Sequence, residues 1–246
     1  MIKTIEELSM NAWPALQTNL YDGWVLRFAN GYTKRANSVN PLYPSAIDLA
    51  QKIAYCEVKF KEKRLPGVFK LTSESNPDGI DAYLASQGYA KVDETGARIL
   101  NLGKYQWSPV QNIHINDRFD SVWLSGLYQC SRIDSPEVQQ TIVKMVTLIT
   151  GKLICATKVH EGKTVGCGYG VIERGYVGIF DIIVDEKYRG RGYGQDIVCS
   201  ILNTAVEQGA QIAYLLVVAG NKKAENLYQK LGFEEIYRYW YRVKQL

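Results

Sequence analysis

Two joined runs decide how this chain reads: "VGIFDIIV" (Val177–Val184) and "DEKYRGRGYGQDIV" (Asp185–Val198). The first is apolar except for Asp181 and predicts a strand. The second packs three glycines and two arginines between Arg189 and Gly194. After it, Ile197, Val198, Ile201, Leu202 and Ala205 share one face of a predicted helix, Gly194 to Gln208, which Gly209 stops. A strand that runs into a glycine-rich turn and then a helix is an anion-binding device. The first N–H groups of a helix have no partner within it, and the helix dipole adds partial positive charge there. Glycines let the backbone approach a phosphate, and arginines add charge-assisted hydrogen bonds. The competing reading of the same residues is an exposed turn with solvated arginines.

The dinucleotide fingerprint G-x-G-x-x-G fails here, because the third glycine comes one residue early, at Gly194. The P-loop pattern G-x-x-x-x-G-K-[ST] is absent. What remains is R-x-x-G-x-G at Arg189, Gly192 and Gly194. Downstream, "GNKKAENLYQKLGFEEI" sets Asn221, Ala224, Tyr228, Gly232 and Phe233 in order after an apolar strand, "IAYLLVVAGN".

These two motifs resemble the GCN5-related N-acetyltransferases, the GNAT superfamily, over roughly residues 110–246. The resemblance implies an α/β fold with a mixed sheet, and acetyl-CoA as co-substrate without a metal. It implies acyl transfer by direct attack of an amine on the thioester. Arg189, Gly190, Arg191, Gly192, Tyr193 and Gly194 would then receive the pyrophosphate. Ile183 and Val184 would offer strand N–H groups to pantetheine and the thioester carbonyl. Asn221 and Ala224 would lie along the cofactor arm, and Tyr228 would protonate the departing thiolate.

Each of these residues has a plainer reading beside it. Tyr228 shares a helical stripe with Ala224, Leu227 and Leu231, which packing alone explains. Asn221 suits a helix N-cap. Asp181 interrupts an apolar strand, which is costly unless the carboxylate is paired or opens on a cleft. It is the candidate general base or acceptor-binding group, against a purely scaffold role. Glu173, in an "ERG" turn, is a weaker candidate. A non-catalytic acyl-CoA sensor would carry the same phosphate loop.

The rest of the chain sets the frame. With 246 residues there is room for two ordinary domains, and a net charge of +4 is too mild for a nucleic-acid footprint. No apolar run reaches membrane-spanning length and the start lacks a signal-peptide pattern, so a cytoplasmic protein is expected. Five cysteines without a C-x-x-C pair read as buried thiols, not disulfides or a zinc site.

The first half predicts a helix over Ile5–Leu20 with a break near Pro14, then a hairpin about Asn30-Gly31. A polar returning strand, Tyr32 to Val39, is expected next. A helix is expected over Ala46–Arg64, with Ile47, Ala50, Ile53, Ala54 and Val58 on its buried face. Trp13 and Trp24 read as core. "NPLYPS", ahead of that helix, has no glycine or arginine, so this half is not expected to bind CoA. An internal echo, "AYLASQGYAKV" (Ala82–Val92) against "LYQKLGFEEI" (Leu227–Ile236), points to duplication. The expectation is two GNAT-like domains in tandem, 1–108 degenerate and 109–246 carrying the acetyl-CoA site. Lys34, Arg35, Asn37 and Ser38 would face the cleft between them or form a solvated edge. The amine acceptor is not identified, and neither nucleic acid nor membrane is expected as a partner. Exposed edge strands of this fold offer a route to a homodimer.

Overall fold

The computed structural model describes all 246 residues. The first half contains α1 (Ile2–Ala12), β1 (Gln17–Tyr21), β2 (Trp24–Phe28), β3 (Val39–Pro41), α2 (Leu49–Glu62), β4 (Gly67–Thr72), α3 (Ile80–Ser86) and β5 (Ala90–Asn101). The second contains β6 (Ile113–Asn116), α4 (Ser121–Ser131), α5 (Pro136–Val146), β7 (Lys152–His160), β8 (Lys163–Glu173) and β9 (Tyr176–Val184). It closes with α6 (Tyr193–Glu207), β10 (Ile212–Val218), α7 (Lys222–Lys230) and β11 (Glu234–Lys244).

All strands join one 11-stranded mixed sheet in the order β1-β2-β3-β4-β11-β5-β10-β9-β8-β7-β6. Leaving out the short edge strand β6, the order is a palindrome. Each half runs hairpin, third strand, helix, parallel fourth strand, short helix, last strand. The last strands are exchanged: β11 lies antiparallel to β4 of the first half, and β5 antiparallel to β10 of the second. They pair with each other at the centre. The echo seen in the sequence marks these strands. Both follow a short helix that ends at a positive-φ glycine, Gly88 or Gly232, with a buried aromatic, Tyr89 or Phe233, after it.

The exchange is held by side chains from both halves. Tyr237, Tyr239 and Tyr241 alternate along β11 and enter a core cluster shared with α1 and α4. On the opposite face, Trp240 donates to Asp81 of α3 at 2.6 Å, and Arg242 grips both Asp81 oxygens at 2.8 Å. Beneath β11, Lys70 and Glu6 form a fully buried ion pair at 2.5 Å. The Tyr237 hydroxyl donates to the other Glu6 oxygen at 2.7 Å. Such a pair sets registry more than it adds net stability. Separate clusters fill the helix-covered face: α6 and α7 over the second half, α2 and α3 over the first.

Several expectations need correction. The helix predicted to Leu20 stops at Ala12, and Gln17–Tyr21 is an edge strand paired with β2 through the Asp22-Gly23 turn. The returning strand predicted over Tyr32–Val39 is a loop with one turn of 3-10 helix at Lys34–Ala36, and only Val39–Pro41 pairs with β2. Asn37 holds that loop, accepting from Ala29 and Gly31 N–H and donating to the Ala29 and Thr33 carbonyls. With Asn37 and Ser38 buried, a solvated edge is ruled out. The buried face of α2 is Lys52, Ile53, Cys56 and Phe60, while Ile47 and Val58 are exposed. Lys52 can be buried because its ammonium reaches Asp22 at 3.1 Å and lies 4.1 Å from the centre of the Trp24 ring. Trp13 and Trp24 are core, and all five cysteines are free and buried. No helix is long and apolar enough to cross a membrane.

Candidate active site

The site begins where two parallel strands part. β9 and β10 pair from Tyr176–Ile212 to Ile179–Leu215 and no further. β9 continues along β8 to Val184, but its register shifts so that Asp181 and Ile182 together oppose Gly168. This is a β-bulge, and Asp181 sits in it at φ +48°. The bulge bends β9 away from β10. Asp185 N–H donates to the Val165 carbonyl at 2.9 Å, so alternation turns the Val184 N–H and carbonyl toward the open side.

The glycine-rich turn follows at once. The Asp185 carboxylate accepts from the Lys187 N–H, and Arg189 Nε donates back to the Val184 carbonyl at 3.1 Å. Gly190 and Gly192 have φ of +80° and +83°, and a Cβ at either would meet nothing. Their glycine character therefore serves the left-handed turn and leaves the concave side clear. Gly192 caps α6 without a side chain. None of the backbone N–H groups from Gly190 to Gln195 has an acceptor in the protein. Arg191 reaches over the Tyr188 ring at 5.3 Å, and both loop arginines are exposed.

A buried layer fixes this helix start. Lys158 donates to Asp196 at 2.6 Å and to the Gln111 carbonyl at 2.7 Å, beneath the Tyr193 ring. Tyr193 Oη lies 3.0 Å from His160 Nδ1. Asp196, in the first turn of α6, would oppose an incoming anion, and Lys158 neutralises it.

Helix α7 closes the same side. The Cβ position of Gly194 lies 3.8 Å from both Leu227 and Val184, so loop, strand end and α7 meet there. Asn221 caps α7, accepting from the Ala224 N–H at 3.2 Å. Tyr228 is buried edge-on to Phe233, and burial pushes its hydroxyl up to about 12. That hydroxyl has no protein hydrogen-bond partner, yet it is not among the sealed unpaired atoms, so it touches open space.

Asp181 belongs to the other face. Its charge is felt by Tyr32, Tyr169 and Arg35, which lie with the core shared by α1 and α4. Burial raises the Asp181 carboxyl to about 6, against the pull of Arg35. It forms no ion pair within 4 Å. The structure thus gathers Val184, Arg189 to Gly194 and α7, which carries Ala224 and Tyr228 behind the Asn221 cap, about one end of α6. Ile183, expected to offer its N–H to the cofactor, turns it by the same alternation toward Cys167 of β8 instead. The structure sets Asp181 across the parted strands from Tyr228. Glu173 lies apart, accepting from Asn11 at the β8–β9 turn. No group of three His, Cys, Asp or Glu side chains is placed to hold a metal ion.

Tyr32 also lies near Asp181, with Tyr128 near Tyr32 in turn, and sequence reasoning missed both. Tyr32 is raised by burial, by Asp181 and by Tyr128. Tyr32 lies on the Asn37-pinned loop, which reaches the second half through Asn30 and Thr141 at 3.1 Å. Nothing in the local sequence pairs residues so far apart.

Comparison with known proteins gives a consistent answer. The family described as "Probable histone acetyltransferase Rv0428c C-terminal" matches residues 1–242. The chain is 30% identical over 257 aligned residues to "Uncharacterized N-acetyltransferase YobR" of Bacillus subtilis (strain 168), covering 99% of each. A GCN5-related N-acetyltransferase from Kribbella flavida shares the fold with a TM-score of 0.72 at 14% identity, over 98% of this chain and 95% of that one. A tandem GNAT protein from the clavulanic acid biosynthesis pathway superposes with a TM-score of 0.63 at 12% identity, over 79% and 69% respectively.

Proposed function

This chain belongs to the GNAT superfamily, within the family matched over residues 1–242, and is an acetyltransferase; from that premise we propose that its donor is acetyl-CoA and its acceptor an amine. One observation carries the donor assignment: a run of unpaired N–H groups, Gly190 to Gln195, at the start of α6 beside Arg189 and Arg191. A pyrophosphate supplies the acceptors those donors lack.

In this reading the pantetheine arm lies between β9 and β10, where the Val184 N–H faces the gap, with Ile183 beside it. Asn221 and Ala224 flank the arm. The thioester carbonyl gains negative charge as the amine attacks, and a strand-edge N–H stabilises it. Asp181 first takes a proton from the ammonium, and with a carboxyl near 6 it is charged at neutral pH and ready to do so. The amine nitrogen then bonds to the thioester carbon, and the carbon–sulfur bond breaks. Tyr228, kept protonated by burial, gives its proton to the thiolate and regains one from the remaining excess proton of the new amide through solvent. Residues 1–108 act as the degenerate domain that walls the acceptor side, and 109–246 as the catalytic domain.

Thiol release from acetyl-CoA across a panel of amines tests the reading. The wild type should turn over at least one amine, and Arg189→Ala should need about tenfold or more acetyl-CoA for half-maximal rate. Equal donor dependence in the two proteins would overturn the assignment of the loop.

A further inference from the structure

The start of α6 is gripped from below by a strand outside both sequence motifs. Lys158 of β7 is buried, and its ammonium donates to Asp196 at 2.6 Å and to the Gln111 carbonyl at 2.7 Å. The centre of the Tyr193 ring lies 4.8 Å from the same ammonium. The Tyr193 hydroxyl lies 3.0 Å from Nδ1 of His160, also on β7. Two side chains of β7 thus hold Tyr193 and Asp196, at either end of the first turn of α6. Across from Lys158 in the sheet stands Gly166, where a Cβ would come within 3.0 Å of Ile197 Cδ1. Its missing side chain lets α6 sit close on β7 and β8, within reach of the lysine.

The pair does not cap the helix. Asp196 N–H already bonds to the Gly192 carbonyl at 3.0 Å, and the Asp196 carboxylate accepts only from Lys158. A carboxylate beside a helix start repels an incoming anion and competes for its donors. Lys158 holds this one to β7 and balances its charge, so the N–H groups from Gly190 to Gln195 are left to a ligand. The same lysine ends a second set of ties. Tyr105 Oη donates to Asn203 of α6 at 3.0 Å, and Asn203 donates to the Ser108 carbonyl at 2.8 Å. The segment joining the two halves is therefore fastened along α6, and at Gln111 it reaches the lysine beneath the helix start.

We propose that Lys158 is a positioning residue for the donor. It touches no reacting atom. It fixes the first turn of α6 against β7 and balances Asp196, so that a diphosphate meets unpaired donors and no unbalanced carboxylate. Its effect is confined to the diphosphate end: Lys158 sets how tightly the donor binds and leaves the chemical step to other residues. This rests on the acetyl-CoA reading of the same loop.

The test uses the full chain and two probes, acetyl-CoA and inorganic pyrophosphate. In Lys158→Met, KM for acetyl-CoA should rise about 10–100-fold, with kcat at saturating donor within about twofold of wild type. Lys158→Arg should recover part of the loss. Asp196→Asn alone should bind acetyl-CoA at least as tightly as wild type, because it removes the repelling charge and keeps the cation. Added to Lys158→Met, it should bring KM back to within about threefold of wild type. A purely structural ion pair would give the opposite sign for Asp196→Asn and no rescue. Calorimetric titration with pyrophosphate should rank these proteins in the same order. Weaker acetyl-CoA binding by Asp196→Asn, no rescue in the double variant, or a loss in Lys158→Met carried by kcat alone overturns the proposal. Should Lys158→Met not fold, the sign of the Asp196→Asn effect still decides it. If pyrophosphate binds wild type and acetyl-CoA does not, the donor reading falls while the pyrophosphate ranking decides the role of Lys158; if neither binds, both fall.

Discussion

The N-termini of α2 and α6 hold corresponding places in the palindromic sheet, and they are finished in opposite ways. At α6 the cap is Gly192, and the N–H groups from Gly190 to Gln195 have no partner. At α2 the chain fills the same position with its own carboxylates. Asp48 caps the helix, accepting from the Gln51 N–H, and Asp22 accepts from Ala46 and Ile47 N–H. Those backbone bonds, with Lys52, hold Asp22 below its ordinary pKa. The fourth helical residue repeats the contrast with reversed charge: Lys52 pairs with Asp22 at 3.1 Å, and Asp196 pairs with Lys158 at 2.6 Å. The first half is therefore not merely short of glycine and arginine. It carries a built-in anion where the second half leaves donors unpaired.

The strongest way to break this comparison is to give α6 the finish of α2. Gly192→Asp puts a carboxylate at the helix start and a side chain at φ +83°. Acetyl-CoA affinity should fall by about 1000-fold in a binding titration; a change of less than about tenfold would mean that the phosphate loop is not the donor site.

Next in size is Tyr228→Phe. Counting back from the helix-ending glycines, Tyr228 corresponds to Leu84, which has no hydroxyl and is fully buried. The substitution should lower kcat about 100-fold with acetyl-CoA affinity held within about twofold. Steady-state kinetics beside a titration separate the two, and an unchanged kcat returns Tyr228 to a packing role.

What the sequence made legible follows from distance along the chain. The turn at Arg189–Gly194, its flanking strand and helix, and the N-cap at Asn221 depend on neighbours a few residues away, and each was readable. The strand exchange was not, because which partner β5 or β11 chooses is a long-range matter. The echo at Gly88 and Gly232 nevertheless pointed at those two strands. Strand β1 was missed because Leu20, on an edge strand, is 81% exposed, so its apolar character mimicked a helical face. The face of α2 was misread because a lysine, Lys52, is one of its buried residues. The acceptor side was only half legible. Asp181 stood out as a charge in an apolar run, whereas Tyr32 comes near it on a loop that looked like a strand.

Asp181→Asn probes that acceptor side with a smaller effect. Wild-type kcat/KM should rise with pH through about 6 as the carboxyl ionises, and the variant should lack this limb. Stability should move the other way. A carboxyl raised in the folded state favours folding below its unfolded pKa and loses that contribution as pH rises through about 6. The amide should therefore be more stable than wild type above that pH, by about 1–2 kcal/mol in denaturant titrations, with the gain shrinking toward pH 4. A pH profile that Asp181→Asn leaves intact would remove it as the base.

Smallest is Asp48→Ala. Loss of this cap should cost about 1 kcal/mol of stability without creating a second donor site, because Asp22 still occupies the helix start. A second equivalent of bound acetyl-CoA in this variant would show that the cap alone blocks the first half.

The most direct test of the account is calorimetric titration of acetyl-CoA into the full chain, wild type beside Arg189→Ala. The account predicts one site per chain, weakened about tenfold or more by the substitution. Two sites, none, or an Arg189→Ala protein that binds as well as wild type would contradict it.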